Sequence, residues 1–86
     1  MDQLPNVTLY SKPDCPLCDE ARGALDRVRD RLPFELLEID ITTDADLEVA
    51  YRERIPVIAL DGEELFDFHV DEQLLERRLA RGAVAG

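Results

Sequence analysis

Residues 7–18 read VTLYSKPDCPLC and contain a β-rich run, a turn and two cysteines three positions apart. The run Val7–Ser11 lies between two proline-containing turns, which is typical of a short strand. From Cys15 onward apolar residues recur at intervals of four and three, which predicts a helix with one buried face. The members of that face are Ala21, Leu25, Val28 and Leu32. The segment therefore predicts that the two cysteines open a helix directly after a strand.

A second strand and a second helix follow. Pro33 ends the first helix near Leu32, because proline disfavours a helical conformation in the residue before it. The run Glu35–Ile41 predicts a strand. Its predicted inward face consists of Leu37, Ile39 and Ile41. For the short second helix, the candidate caps are Thr43, Asp44 and Asp46, and the predicted buried residues are Leu47, Ala50 and Tyr51.

The last third of the chain predicts a hairpin and a final helix. The apolar run Val57–Leu60 precedes Asp61-Gly62, a strong two-residue turn signal, and Glu64–Phe68 is the returning strand. Leu65 and either Phe66 or Phe68 are its candidate core residues. The last helix begins after Asp71, with a buried stripe of Val70, Leu74, Leu75 and Leu79 and a basic end formed by Arg77, Arg78 and Arg81. Residues 82–86 are expected to form a flexible tail.

The predicted order is βαβαββα within one domain, residues 1–86. The helix between the first two strands makes them parallel with a right-handed crossover, and the last two strands form an antiparallel hairpin. The sequence therefore predicts an α/β fold in which a four-stranded mixed sheet carries helices on both faces.

Composition narrows the class of protein. Ten Lys and Arg residues face twenty Asp and Glu residues, which gives a net charge of −10 and argues against binding to nucleic acid. No apolar run approaches the roughly 18 residues of a membrane span, and the N-terminus shows no secretory signal pattern. Two cysteines are too few for a disulfide-stapled secreted scaffold. We expect a cytoplasmic, monomeric domain with no membrane partner.

The cysteine pair carries the chemistry. Cys15 is predicted at a helix N-terminus, where unpaired amides and the helix dipole lower a thiol pKa and favour the attacking thiolate. Pro16 suits the first turn, and Cys18, one turn deeper, is the natural resolving thiol. Lys12 favours the thiolate. Three acids oppose it, Asp14, Asp19 and Glu20, so the couple is expected to lie below about −180 mV.

Other roles for the pair remain open. Tetrahedral zinc needs four ligands, so a zinc or iron–sulfur module would need a dimer that brings two such pairs together. His69 is the only additional soft ligand; it is either a surface or capping residue, or a proton shuttle or metal ligand. A structural disulfide, inert thiols and a role in partner binding alone are the remaining interpretations.

The motifs resemble those of a known family. Leu9-Tyr10-Ser11-Lys12 followed by Cys15-Pro16-Leu17-Cys18 resembles the active-site segment of glutaredoxins, and Arg54-Ile55-Pro56-Val57 resembles the cis-proline loop of the thioredoxin superfamily. Asp14–Asp19 and Leu47–Tyr51 are similar to segments of small bacterial glutaredoxin-like proteins. The sequence departs from glutathione-binding glutaredoxins at Leu17, where they carry an aromatic residue, and at Phe68-His69, which stands near their Gly-Gly pair.

The resemblance implies a thioredoxin-like fold and a dithiol thiol-disulfide oxidoreductase. Cys15 would be the nucleophile and Cys18 the resolving thiol. The implied substrate-binding residues are Lys12, Pro16, Leu17, Ile55 and a cis-Pro56. The partners would be a disulfide-containing protein or a small thiol, and a reductant, either glutathione or a thioredoxin-type reductase system. No bound cofactor or metal is implied, and glutathione is a candidate co-substrate.

Overall fold

The computed structural model describes the backbone of residues 4–85 and the side chains of residues 4–81. Eight elements follow in order: β1 Asn6–Ser11, α1 Pro16–Arg31, β2 Glu35–Asp40, a 3₁₀ turn Ile41–Thr43, α2 Ala45–Tyr51, β3 Val57–Leu60, β4 Glu63–Asp67 and α3 Glu72–Ala85. The predicted order βαβαββα is confirmed. No helix within residues 4–85 combines the length and the apolar character needed to cross a membrane.

The four strands form one mixed sheet in the order β2-β1-β3-β4. β1 pairs with β2 in parallel and with β3 antiparallel, and β3 and β4 form the antiparallel hairpin. Asp61 and Gly62 both have positive φ, 50° and 88°, as the favoured two-residue hairpin turns require. The sheet predicted from sequence is therefore confirmed, and β1 is one of its two inner strands, with the cysteines in the segment that follows it.

The main core lies between the sheet and the helices α1 and α3. Its largest buried members are Phe34, Leu9, Leu25, Ile58 and Leu75. Side chains alternate along β1, so Leu9 contacts this core while Tyr10 lies on the opposite face, where α2 packs. A second, smaller cluster forms there, next to the cysteines. Helices on both faces of the sheet are therefore present, as predicted.

The predicted inward face of β2 is wrong at Leu37, which is 59% exposed. Leu36 packs against the main core instead, because its register partner is Val7 on the core face of β1. Leu37 lies on the other face, and the seven-residue α2 is too short to cover it. Ala50 is also exposed, contrary to prediction, because the packed stripe of α2 consists of Leu47 and Tyr51, one turn apart, and does not extend to Ala50.

The end of α3 also differs from the prediction. Its helical backbone continues to Ala85, four residues into the predicted tail, and Gly86 lies outside the described residues. A single glycine in a helix costs only about 1 kcal/mol relative to alanine, so Gly82 does not end it. As a result the three arginines lie inside the helix and not at its C-terminus. The predicted cap is confirmed, because Asp71 accepts a hydrogen bond from the amide of Leu74 at 3.1 Å.

Candidate redox site

The turn after β1 delivers Cys15 to the start of α1. Asp14 adopts a left-handed conformation with φ 57°, and Cys15 is extended with φ −116°, which makes it the N-cap residue. Pro16 occupies the first helical position, where its missing N–H costs nothing. The Cys15 Sγ accepts a hydrogen bond from the Cys18 amide at 3.2 Å. The sulfur therefore uses one of the unpaired amides that the sequence places there.

The two cysteines differ in accessibility. Their sulfur atoms are paired as a disulfide, with the Cα atoms 5.2 Å apart. Cys15 is 8% exposed and Cys18 is 0% exposed. Cys15 therefore keeps a small accessible surface, while Cys18 has none.

The loop between α2 and β3 lies against the cysteine pair. Ile55 packs in one cluster with Cys15, Cys18 and Ile41, and the Ile55–Pro56 peptide bond is cis. Pro56 is fully buried, and its carbonyl oxygen accepts a hydrogen bond from the Phe68 amide at 2.8 Å. The fold thus brings together two motifs that are 40 residues apart in the sequence.

The other predicted site residues are less close to the sulfurs. Leu17 packs, partly buried, against the same cluster, and Pro16 is exposed on the first turn of α1. Lys12 is exposed and lies outside the cluster. It lines a shallow depression of about 400 Å³ together with Asp14 and Asp19 among others. Lys12 therefore stands at the rim of the site, in acidic surroundings.

One of the three acids expected to oppose the thiolate has a basic partner. Arg22 forms an ion pair with Asp19 at 2.7 Å and with Glu38, and the Glu38 carboxylate also accepts a hydrogen bond from buried Ser11 at 2.8 Å. The Arg22 guanidinium lowers the pKa of Glu38, against the opposing effect of burial. Asp14, just before α1, and Glu20, beyond its first turn, are exposed. The negative field at Cys15 is therefore partly compensated on the Asp19 side.

A network of polar side chains lies on the face of the sheet where α2 packs, and the sequence analysis did not identify it. The rings of Tyr10 and Tyr51 stack with centroids 4.5 Å apart, and the Tyr51 hydroxyl donates to Glu64 Oε2 at 2.8 Å. Arg54 donates to Glu64 Oε1 at 2.6 Å and lies 3.5 Å from Asp67. Its charge is therefore engaged by two carboxylates of β4.

The contacts of Tyr51 predict a raised pKa for its hydroxyl. The hydrogen bond to Glu64, helped by burial, raises the pKa of Tyr51 from 10.0 to about 12, because the carboxylate accepts from the neutral phenol and repels the phenolate. A pKa raised by folding contributes stability that is present below pH 10 and lost as the pH rises towards 12. In a Tyr10→Phe variant, where Tyr51 is the only tyrosine, tyrosinate absorbance should rise with a midpoint clearly above 10.0, because Glu64 still raises the pKa of Tyr51 while the smaller contributions of Tyr10 are removed.

Adding Glu64→Gln to that variant should move the midpoint down towards 10.0, while circular dichroism checks that the chain stays folded. A midpoint near 10.0 in the Tyr10→Phe variant would show that the Glu64 carboxylate does not raise the pKa of Tyr51.

Phe68 follows β4 directly in an unusual conformation. Its φ is 69°, a region that favours glycine, and its side chain is 42% exposed. Phe68 and the exposed His69 line a groove of about 470 Å³ along α1.

The two cysteines are the candidate metal ligands that lie together among the described side chains. Within residues 4–81 no group of three or more His, Cys, Asp and Glu side chains could hold a metal ion. A zinc or iron–sulfur site would need ligands from a second chain. Metal analysis of the freshly purified protein tests that alternative directly.

The sheet order, the helices on both faces and the Cys-x-x-Cys pair at the start of α1 define a thioredoxin-fold protein whose cysteines are compatible with redox activity. A comparison with protein families agrees and is more specific. The model of the glutaredoxin-like domain (DUF836) matches residues 6–80, and the chain belongs to this family.

Similar proteins come from several bacteria. An uncharacterised protein of Mycobacterium tuberculosis is 30% identical over 82 residues, which cover 90% of this chain and 84% of that protein. The solution structure of a Nitrosomonas europaea protein superimposes with a TM-score of 0.80 at 25% identity, covering 92% of this chain and 95% of the other. A crystal structure from X. campestris gives 0.73 at 38% identity, with coverages of 87% and 96%.

A thioredoxin from Halobacterium salinarum, 20% identical, superimposes with a TM-score of 0.65 over 93% of this chain and 75% of the thioredoxin, which bears on the fold alone.

Proposed function

We propose that the protein is a dithiol thiol-disulfide oxidoreductase. The thiolate of reduced Cys15 attacks one sulfur of a substrate disulfide, forming a mixed disulfide and releasing the other substrate sulfur as a thiolate. The Cys18 thiolate then attacks the Cys15 Sγ, releases the substrate as a dithiol and leaves Cys15 and Cys18 joined. Two electrons pass to the substrate, and an external thiol reductant restores the pair.

The observation that carries this proposal is the asymmetry of the pair. Cys15 combines an N-cap position, a hydrogen bond from the Cys18 amide and residual exposure, while Cys18 is sealed from solvent. Attack by a thiolate requires both charge stabilisation and access, and only Cys15 has both. A structural disulfide or an inert thiol would need neither.

The loop beside the pair supports a docking role for the backbone of Ile55. The pairing between β1 and β3 reaches only Val57, so Ile55 lies beyond the sheet ladder and next to Cys15. An extended peptide can pair with such backbone as an added strand. We therefore assign Ile55 and Pro56 to substrate docking, with Pro16 and Leu17 forming the opposite border.

The charges around the cysteine pair bear on which reductant restores it. Lys12 offers one cation for a carboxylate of glutathione, but Asp14, Asp19 and Glu20 flank the start of α1, and the chain carries a net charge of −10. Glutathione is itself an anion, so a dithiol reductase system fits these charges better. A cytoplasmic location would supply either reductant.

The same charges predict the redox potential. A carboxylate near Cys15 destabilises its thiolate, hence the reduced state, and makes the couple more reducing. Equilibration with dithiothreitol buffers, read by alkylation and mass spectrometry, should give a potential more negative than about −180 mV. Glu20→Gln should shift it to a less negative value. A wild-type potential in the range of isomerases and oxidants would contradict this account of the charges.

The function is tested by trapping. A Cys18→Ser protein cannot resolve the mixed disulfide, so when isolated from cells under acid quench and alkylation it should carry partners or glutathione bound to Cys15. Mass spectrometry identifies them, and Cys15→Ser is the matched control. Equal capture by both variants, or capture by neither, would refute the proposal.

A further inference from the structure

We infer that Arg54 and Glu64 are positioning residues that hold the backbone of the Ile55–Pro56 loop for a polypeptide substrate. This inference rests on the proposed function, since it assigns a role to the loop on which that substrate docks. Neither residue is a catalytic residue, because neither reaches the sulfur atoms.

Arg54 is held from two sides. Its guanidinium donates to Glu64 Oε1 at 2.6 Å, lies 3.5 Å from Asp67 Oδ2, and stands 5.6 Å from the centre of the Tyr51 ring. The second oxygen of Glu64 accepts from the Tyr51 hydroxyl at 2.8 Å. One carboxylate of β4 therefore binds both the last residue of α2 and the residue before Ile55.

These contacts bracket the docking loop. Arg54 precedes Ile55 directly, and on the other side the Pro56 carbonyl is bound by the Phe68 amide at 2.8 Å. Tyr51 stacks on Tyr10, which also packs against the cysteine cluster. The two neighbours of Ile55 in the chain are therefore both held, Pro56 through its carbonyl oxygen and Arg54 through its side chain, and the Arg54–Glu64 ion pair is the side-chain attachment next to Ile55.

The expected effect lies in substrate positioning more than in stability. Both side chains are partly exposed, and exposed ion pairs contribute little to the free energy of unfolding. A small displacement of a docking group, in contrast, has a large effect on a bound substrate. Removing the Glu64 charge should therefore weaken the binding of a substrate that spans the loop, while the thiol chemistry remains intact.

The test compares Glu64→Gln with Glu63→Gln. Glu63 is the adjacent residue of β4, and its ion pair with Arg78 at 2.5 Å involves α3 and not the loop. The two variants therefore remove the same charge and one ion pair each. The substrates are a neutral synthetic peptide with one disulfide, which is long enough to pair with Ile55, and hydroxyethyl disulfide, which is not.

For the peptide, Glu64→Gln should raise KM roughly three- to tenfold with kcat changed less than about twofold. The rate with hydroxyethyl disulfide and the redox potential should stay at the wild-type values, and Glu63→Gln should match wild type throughout. An unchanged peptide KM in Glu64→Gln, an equal rise in Glu63→Gln, or an equal loss with both substrates would overturn the inference. If wild type reduces neither disulfide, the proposed function itself fails and the inference falls with it.

Discussion

Replacing Cys15 by serine is expected to abolish disulfide reduction, lowering the rate by about three orders of magnitude or more. A serine hydroxyl is not ionised at neutral pH, so the group that attacks the substrate sulfur is lost although its size and N-cap geometry are nearly kept. Reduction of the synthetic peptide disulfide, coupled to excess dithiothreitol and followed by chromatography, measures the loss.

Cys18→Ser is the informative companion variant. It should retain a fast first step and accumulate the mixed disulfide, because Cys15 remains and only the resolving thiol is missing. Cys15→Ser activity within tenfold of wild type, or inactivity of Cys18→Ser in the first step, would reverse the assigned roles.

The largest expected effect on stability is at Phe34. This ring is 1% exposed in the main core between the sheet and α1, and its carbonyl oxygen accepts from Arg29 Nε at 3.0 Å. Phe34→Ala should lower the free energy of unfolding by about 3–5 kcal/mol, the usual cost of removing a buried phenyl ring. Since small domains are stable by only about 5–15 kcal/mol, the variant should unfold at much lower denaturant concentration.

The matched control is Phe68→Ala. It removes the same ring from a position that is 42% exposed, so the cost should be much smaller, about 1 kcal/mol. Urea denaturation followed by circular dichroism compares the two variants. Similar losses in both would show that the ring of Phe34 is not an essential part of the core.

Local patterns predicted the elements well because each signal lies within its own element. Alternation, the Asp61-Gly62 turn and the helical stripe need no knowledge of distant residues. Which side chains are covered depends on distant ones, and there the predictions were weaker. Leu37 is exposed because α2 is too short to cover it, and Ala50 is exposed because it lies outside the narrow packed stripe of α2. Phe34, between a proline and a strand, shows no periodicity that would mark it as core.

The hairpin illustrates the same limit. A register shift between Ile58 and Ala59 lets the neighbouring residues Leu65 and Phe66 both pack against the main core, which simple alternation excludes. The shift also places Asp67 opposite Val57, within reach of Arg54.

The candidate site also has parts that local motifs predict and parts that depend on contacts between distant residues. The cysteines and the Ile55–Pro56 loop are carried by short motifs, and the resemblance of both motifs to one family is what paired them. The attachment of Arg54 to Glu64 depends on the register of β4 and on the position of Tyr51, so no local signal could reveal it.

The most direct test of the central claim is the rate at which each thiol of the reduced protein is alkylated by iodoacetamide at pH 7, resolved by peptide mass spectrometry. Cys15, at the helix N-terminus and partly accessible, should react at least about tenfold faster than Cys18. Faster reaction of Cys18, or equally slow reaction of both thiols, would contradict the account.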